Sequence, residues 1–496
     1  MMKYVILGVL FYCLIGLLIW FFRPSAKIHK DVMFQSGRKH RILYWSVCII
    51  TILICILPMG LPPVWNGSTT PTHHDQYERM TDAILDGHLY LDYEVDEKLL
   101  EMENPYDPQA RKQLGVRYHW DHAFYNGKYY MYFGVIPVFL VFLPYRLITG
   151  TNLLGYHATQ IFVAFFIFGF FELFRLLREK FFNSLNTSLF LLGCTAFSLM
   201  SVWYTVDAPS LYCTAISSAL ALEVWSLFFL CKAAYFETRT KWIIPYTALG
   251  ALLGALAFGC RPPIALANII AIPLFITILL KNKKVSVVLG KSIAIALPYA
   301  MVGVALMLYN YARFDNPFEF GQSYQLTVAD QSSYTDLFDR INIESVQKSL
   351  HYFYFSEKYW GLLLTYPIIT FACVPIFNNK SLEMIKEKKL IGLLLVLPIA
   401  VLLIIVIDAA GAPYPIPRYR LDFSWIIGIS SFVCIGIGYE NAKLKGIYSF
   451  LFSILAISTV FASIELYLRP YDANYTASCM PDILDRIKSV KTFGIL

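Results

Sequence analysis

Charged residues are scarce in this chain of 496 residues. Only 15% are Asp, Glu, Lys or Arg, whereas 57% are hydrophobic and 16% aromatic. A soluble domain carries roughly 25% charged residues. Several apolar runs reach the roughly 20 residues that a helix needs to cross the hydrocarbon core of a bilayer. The composition therefore excludes an ordinary soluble domain and predicts an all-α protein that crosses a membrane many times.

Cysteine motifs are missing as well. No Cys-x-x-Cys pair and no mixed Cys/His metal-binding spacing occurs, so the sequence predicts neither a redox motif nor a zinc site. Seven of the ten cysteines lie inside apolar runs, where they pack as small apolar side chains: Cys13, Cys48, Cys55, Cys194, Cys231, Cys373 and Cys434.

A net charge of +7 could indicate a nucleic-acid-binding protein, but the positions of the basic residues along the chain do not support that interpretation. Most Lys and Arg lie in short loops between apolar runs, where they set orientation. The loop 23–41 holds six basic residues and one acid, so we expect it to be cytoplasmic, with the N-terminus outside. The segment 62–128 holds twelve acids and six basic residues, which fits an extracytoplasmic location. We expect no nucleic-acid partner.

We expect about twelve transmembrane helices. The first has no strongly basic start and no A-x-A-like cleavage site, so we interpret it as a retained helix rather than a signal peptide. Residues 1–42 would form this extra helix and its basic loop, 43–468 a membrane domain, and 469–496 an outer tail. The predicted spans lie near residues 1–22, 43–61, 155–174, 186–204, 209–231, 243–260, 263–280, 290–311, 359–377, 390–408, 421–438 and 447–468.

Two long segments then lie outside the membrane, at 62–154 and 312–357. Within the first, residues 129–150 could span or lie in the interface. If residues 129–150 crossed the membrane, the basic end of the next helix would lie outside, against the positive-inside rule. In addition, Pro137 and Pro144 each remove a helix hydrogen bond. We therefore favour an interfacial or re-entrant element. No soluble domain and no internal repeat is visible, so an active site must be built from helix ends and these two segments.

Charged residues near membrane depth are costly and indicate function. Acids cluster in the first outer segment, whereas arginines come from three later loops. This pattern suits a carboxylate base beside a bound phosphate, because the guanidinium fork matches phosphate oxygens. The candidates on the outer side are Asp75, Glu78, His119, Asp121, His122, Asp207, Arg261, Arg313, Asp315, Asp408, Arg418 and Arg420.

The order of these features resembles the GT-C superfamily of membrane glycosyltransferases, which use polyprenyl- or dolichyl-phosphate sugars. That superfamily includes protein O-mannosyltransferases and the bacterial aminoarabinose transferase of lipid A, and the match looks most like a bacterial branch. The stretches that carry the resemblance are HHDQYERMTDAILDGHLYLD (73–92), NPYDP (104–108), WDHAFYNGKYYMYFGVIPV (120–138), GCRPP (259–263), YNYARFDNPFEFGQSYQL (309–326) and PRYRLDF (417–423).

The resemblance implies an inverting transfer of a sugar from a polyprenyl-monophosphate donor. It places the catalytic acid of the first outer segment at Asp75, which would accept the proton of an acceptor hydroxyl. Several relatives have an Asp-Glu pair where this chain has Asp75-Gln76, so Glu78 is the candidate second acid. Arg261, Arg418 and Arg420 would bind the donor phosphate. Five further residues are expected to line the site: His119, Asp121, Lys128, Arg313 and Glu319.

Simpler roles remain open for several of these residues. Asp75 could be only the N-cap of the helix that begins near Gln76. Arg313 and Glu319 could form a structural pair, and Arg418 and Arg420 could reach lipid headgroups. No metal is required, because arginine alone can neutralise a monophosphate, although Asp75 with His119 or Asp121 could hold a divalent ion.

Two other function classes compete with the enzyme. A transporter or flippase for lipid-linked sugars should show repeated halves and ionisable residues near mid-membrane. A polysaccharide polymerase or ligase of another membrane fold would also use outer arginines. The favoured hypothesis is an enzyme of the bacterial plasma membrane with its site on the outer face. Its partners would be the bilayer, a lipid-linked sugar donor and an extracytoplasmic glycan, lipid or protein acceptor.

Overall fold

Helices dominate the computed structural model, which describes residues 13–14, 16–32, 37–59, 75–207, 209, 211–332, 341–356, 361–374, 378–411 and 415–468. The predicted outer tail, 469–496, lies outside these ranges. The named helices are α1 (Arg38–Met59), α2 (Gln76–Leu85), α3 (Glu97–Leu100), α4 (Pro108–Leu114), α5 (Val138–Thr149), α6 (Gly155–Phe181), α7 (Thr187–Asp207), α8 (Leu211–Phe236), α9 (Thr240–Phe258), α10 (Pro262–Leu280), α11 (Val285–Phe314), α12 (Ile343–Phe355), α13 (Leu362–Thr365), α14 (Ile368–Cys373), α15 (Asn379–Glu387), α16 (Ile391–Gly411), α17 (Pro417–Asn441) and α18 (Lys445–Leu468).

Ten helices in the described ranges are long and apolar enough to cross a membrane, namely α1, α6 to α11 and α16 to α18. The prediction of an all-α, multi-pass membrane protein is therefore confirmed. Of the other two predicted spans, the first lies mainly outside the described ranges, although residues 16–21 are helical. The second, 359–377, contains the short helices α13 and α14. Tyr366, just before Pro367, leaves the helical conformation, as a residue that precedes proline tends to do.

The segment 129–150 does not form a straight span. Its helix α5 has only 12 residues, about 18 Å, against the ~30 Å of a hydrocarbon core. The helix begins with a π-type turn over Val138–Phe142, directly before Pro144, which has no N–H to donate. Leu147 and Ile148 are 66% and 84% exposed. These features agree with the interfacial interpretation.

Three helices form the centre of the bundle. The membrane-length parts of α7, α8 and α17 are 89%, 94% and 94% buried, whereas α11 is only 11% buried. A helix that is apolar on all faces is expected in such a central position. Small residues allow the close contacts: at Gly169 of α6 an added Cβ would lie 2.7 Å from the indole nitrogen of Trp225. That nitrogen donates to the carbonyl of Phe165 at 3.0 Å.

The two long outer segments pair with each other. Strands β1 (Ala123–Tyr125) and β2 (Lys128–Tyr130) form an antiparallel hairpin. Its turn residues, Asn126 and Gly127, have φ of 48° and 73°, as a tight hairpin turn requires. The second segment adds to the edge of β1: the Phe124 N–H donates to the Tyr324 carbonyl at 2.9 Å. This pairing fixes the second outer segment against the first.

The basic residues predicted outside and those predicted cytoplasmic lie at opposite ends of the bundle. Arg261 and Arg418 lie at the beginning of α10 and α17. At the far end of α10, about 28 Å away, the Lys281 ammonium donates to the carbonyl of Glu237 at 2.8 Å. At the far end of α17, Lys388 pairs with Glu440 at 2.5 Å. The residues predicted outside and those predicted cytoplasmic are thus separated by the length of a span.

Gly134→Ala should destabilise the protein. A Cβ at this position would lie 2.1 Å from the carbonyl oxygen of Gly259, in the turn between α9 and α10. Because backbone must move to relieve this contact, we expect a loss of about 1–3 kcal/mol and a lower melting temperature in detergent. Gly303→Ala on α11 is the control, since no atom of the residues that the structure describes lies within 4 Å of its added Cβ. Equal melting of both variants would contradict the close approach.

Candidate functional site

A cavity of about 800 Å³ opens at the end of the bundle that carries Arg261 and Arg418. Its walls come from the ends of α7, α8, α10, α16 and α17 and from both outer segments. Five tyrosines line it, each with an apolar ring and a hydroxyl that can form a hydrogen bond: Tyr132, Tyr204, Tyr212, Tyr352 and Tyr419. The charged lining residues are Asp121, Arg261, Asp408 and Arg418.

Asp121 is the carboxylate of the first outer segment that lines this cavity. Its backbone is left-handed, with φ of 55°, a conformation that Asp tolerates better than most residues. One carboxylate oxygen accepts a hydrogen bond from the Gln325 amide at 2.9 Å, and the other accepts one from the Tyr212 hydroxyl. A carboxylate has about four acceptor positions, so Asp121 can still accept a hydrogen bond from a ligand.

Arg418 lines the same cavity. Its guanidinium lies over the ring of Tyr212, 4.0 Å from the centroid, and its Nε is buried without a hydrogen-bond partner in the described ranges. No ion pair to Arg418 is found among the described residues. Tyr212 therefore contacts both the Asp121 carboxylate and the Arg418 guanidinium. A buried charge without a counter-charge is costly, so this position suits an anionic ligand.

Arg261 is held by a buried acid. Its Nε and Nη2 donate to both oxygens of Asp422 in α17, at 2.9 and 2.6 Å, and Asp422 is fully buried. The guanidinium also lies 5.1 Å from the Tyr419 ring centroid. Its Nη1 makes no hydrogen bond within the described part of the chain and remains the donor for a ligand.

Asp75 does not line the cavity. Its Oδ2 accepts a hydrogen bond from the Arg79 Nε at 2.7 Å, and its Oδ1 accepts one from the Tyr93 hydroxyl at 2.8 Å. It occupies the N-cap position of α2, but its side chain makes no cap hydrogen bond. The Tyr93 hydroxyl is also 3.2 Å from His122 Nε2. Asp75 thus connects to the segment that carries Asp121 through one tyrosine and one histidine.

Glu78 points to a helix end rather than to the cavity. Its Oε1 accepts a hydrogen bond from the Gly155 N–H, the first residue of α6, at 2.8 Å. Burial is the main cause that raises the pKa of Glu78 to about 8. The side chain therefore caps α6.

Arg420 and Arg313 are both buried away from the cavity lining. The Arg420 guanidinium lies over Trp203, 4.2 Å from the ring centroid, and the side chain is 2% exposed. Arg313 donates to the carbonyl of Met131 at 2.6 Å and to the side chain of Asn310 at 2.7 Å. Neither arginine reaches toward lipid headgroups.

Three further predicted lining residues are also absent from the cavity wall. Glu319 accepts a hydrogen bond from the Gly321 N–H at 2.6 Å and forms no ion pair with Arg313 in the described ranges. His119 stacks on Tyr93 with ring centroids 3.9 Å apart. Lys128 is exposed, with its ammonium 4.1 Å from the Tyr90 ring centroid. The structure thus brings Asp121, Arg261 and Arg418 to one cavity.

Other side chains donate hydrogen bonds to both carboxylates of the predicted alternative metal site. The two oxygens of Asp75 already accept hydrogen bonds from Arg79 and Tyr93. The two oxygens of Asp121 accept from Gln325 and Tyr212. A guanidinium on a carboxylate competes with a cation for the same charge, so we assign no step to a metal.

Sequence reasoning missed Asp422, Tyr212 and Gln325. Asp422 could have been found, because an acid inside an apolar span is rare and needs a partner. Gln325 comes beside Asp121 only through the pairing of the two outer segments. Tyr212 lies in a run of apolar residues with nothing in its spacing to distinguish it.

Two solved structures are similar to this chain. Both are crystal structures of the oligosaccharyltransferase of Archaeoglobus fulgidus, at 12% sequence identity and over 86% of this chain. The apo form gives a TM-score of 0.51 over 56% of its length. The form tethered by a disulfide to an acceptor peptide with the NVT sequon gives 0.50 over 55%. No family model matches the chain, and no curated protein sequence matches it significantly.

These comparisons show the fold, an all-α arrangement of membrane helices that this chain shares with the oligosaccharyltransferase. The chain spans little more than half the length of the oligosaccharyltransferase.

Glu78→Gln should reduce the dependence of stability on pH. The variant keeps an oxygen that accepts from the Gly155 N–H. Because the folded pKa of about 8 exceeds the ordinary value, the contribution of Glu78 to stability is complete below about pH 4.5 and is lost as pH rises through about 8. The wild type should therefore lose more thermal stability than the variant between about pH 6 and about pH 9.

Melting temperatures of the purified protein measure this difference. Glu97→Gln, at an exposed acid of the same outer segment, should follow the wild type. A Glu78→Gln curve that parallels the wild type would show that Glu78 is not the titrating group.

Proposed function

We propose that this protein is a membrane glycosyltransferase that transfers a sugar from a polyprenyl-monophosphate donor to an extracytoplasmic acceptor. The acceptor would be a cell-envelope glycan, a lipid or a protein, and the site would lie at the outer face of the bacterial plasma membrane. One observation carries the proposal: a carboxylate, Asp121, and an arginine without an acidic partner, Arg418, meet through Tyr212 in one cavity.

The charge of the cavity supports a monophosphate donor. A phosphodiester that joins a lipid to a sugar carries one negative charge. Arg261 is neutralised by Asp422, whereas Arg418 has no acidic partner among the described residues. Arg418 would therefore bind the phosphate, with Arg261 Nη1 as a second donor, and both would stabilise the charge that develops as the phosphate leaves.

The reaction needs a base for the acceptor hydroxyl. The proton would pass to a carboxylate while the hydroxyl oxygen bonds to the anomeric carbon. The carbon–oxygen bond to the phosphate would break with inversion, and the electron pair would leave on the phosphate. The resemblance assigns the base to Asp75, but the cavity favours Asp121, whose hydrogen bonds to Gln325 and Tyr212 orient it. We assign the base to Asp121 and keep Asp75 as the alternative.

The buried ionisable residues inside the bundle give little support to the transport hypothesis. Glu223 is a fully buried acid in the middle of α8, where a transporter would place an ionisable residue. Its Oε1 accepts from Asn268 at 2.8 Å, and the Asn268 oxygen accepts from the Tyr299 hydroxyl at 2.5 Å. This cluster joins helices and does not line the cavity.

Asp121→Asn should lower transfer by about 10²- to 10⁴-fold, the usual effect of removing a general base. The assay supplies membranes containing the protein with polyprenyl-phosphate sugars and follows release of polyprenyl phosphate. Asp75→Asn should have a smaller effect, since Asp75 contacts the Asp121 segment only through Tyr93 and His122. Glu97→Gln should have no effect. If Asp75→Asn lowered transfer more than Asp121→Asn, the base would be Asp75 instead. Full activity in both would overturn the carboxylate mechanism.

Arg418→Ala should weaken binding of polyprenyl phosphate by about ten- to a hundredfold, because a charge-assisted contact is lost. Binding is measured with the full chain in lipid nanodiscs. Arg117→Ala is the matched control, since that side chain is 90% exposed in the first outer segment. Unchanged binding in the Arg418 variant would place the phosphate elsewhere.

A further inference from the structure

Asp408 is a second acid of the cavity wall, and the transfer mechanism does not use it. It lies near the end of α16, is 4% exposed and lines the cavity. Within the described part of the chain, its Oδ2 is buried and has no hydrogen-bond partner. Buried polar atoms in folded proteins are nearly always hydrogen-bonded, so an acceptor left open at a cavity wall suits a ligand that donates a hydrogen bond.

The groups around Asp408 favour a ligand group that is uncharged and donates a hydrogen bond. Its carboxyl group interacts electrostatically with that of Asp422, which in turn holds Arg261. Two neighbouring carboxyl groups disfavour double ionisation, because their like charges repel. Together with Arg261, the two acids then carry no net charge. A hydroxyl group fits this environment better than an ammonium group or a metal ion, which would need an excess of negative charge.

The position relative to the arginines favours the donor sugar over the acceptor. Arg261 and Arg418 lie on the same tyrosine, 5.1 and 5.5 Å from the centroid of the Tyr419 ring. A phosphate bound by these two arginines would place its attached sugar beside the cluster of Arg261, Asp422 and Asp408. We propose that Asp408 accepts a hydrogen bond from a hydroxyl group of the donor sugar and so determines which sugar is selected. This inference rests on the proposed function of the cavity.

The test compares binding of bare polyprenyl phosphate with binding of the same lipid phosphate carrying glucose, galactose, mannose or N-acetylglucosamine. The full chain in nanodiscs is used throughout. The wild type should bind at least one sugar-bearing lipid more tightly than bare polyprenyl phosphate. Asp408→Ala should reduce that preference by about tenfold or more, and Asp408→Asn should change which sugar is preferred. Neither should change binding of the bare lipid phosphate.

Glu223→Gln is the matched control, because it makes the same change at a buried acid outside the cavity. Asp408→Ala with the wild-type preference would overturn the inference, as would an equal loss for bare and sugar-bearing lipids. A wild type that binds no sugar-bearing lipid better than the bare one would also overturn it. If the proposed function itself is wrong, the result differs: bare lipid phosphate should then bind equally to the wild type and to Arg418→Ala.

Discussion

The buried ion pair between Arg261 and Asp422 fixes the geometry of the cavity. It joins the beginning of α10 to α17 through hydrogen bonds of 2.6 to 2.9 Å. Because Asp422 is fully buried, loss of Arg261 would leave an uncompensated charge, at a cost of about 3–5 kcal/mol. Arg418 lies four residues before Asp422, near the beginning of the same helix, and Asp408 interacts electrostatically with Asp422. The pair therefore positions both other charged groups on this side of the cavity.

The opposite side of the cavity depends on pairing between the two outer segments. The Leu326 carbonyl accepts from the Asp121 N–H at 3.0 Å, and the Leu326 N–H donates to the His122 carbonyl at 2.9 Å. This short ladder brings Gln325 to the Asp121 carboxylate. Tyr212, at the beginning of α8, then joins Asp121 to Arg418. The carboxylate comes from the two outer segments and the guanidinium from a helix end, so the two charged groups stand on separate supports.

Hydropathy and charge were enough to predict the fold, because span length and loop charge follow directly from the bilayer. They also predicted that residues 129–150 do not form a straight span, which agrees with the 12-residue helix found there. The candidate site was harder to predict from the sequence than the fold. The sequence singled out Arg261 and Arg418, which line the cavity, because arginines at helix ends near membrane depth are unusual. The choice among carboxylates could not be made from spacing: whether Asp75, Glu78 or Asp121 faces the cavity depends on long-range contacts such as Glu78 with α6. Gln325 and Tyr212 carry no local signal.

The central claim is that Arg418 receives the phosphate of a lipid-linked sugar. Electron cryo-microscopy of the full chain in nanodiscs with polyprenyl phosphate tests it most directly. The account predicts phosphate density within hydrogen-bond distance of the Arg418 guanidinium, inside the cavity bounded by Tyr212 and Tyr419. Phosphate density at another place, with the guanidinium of Arg418 still unoccupied, would contradict it.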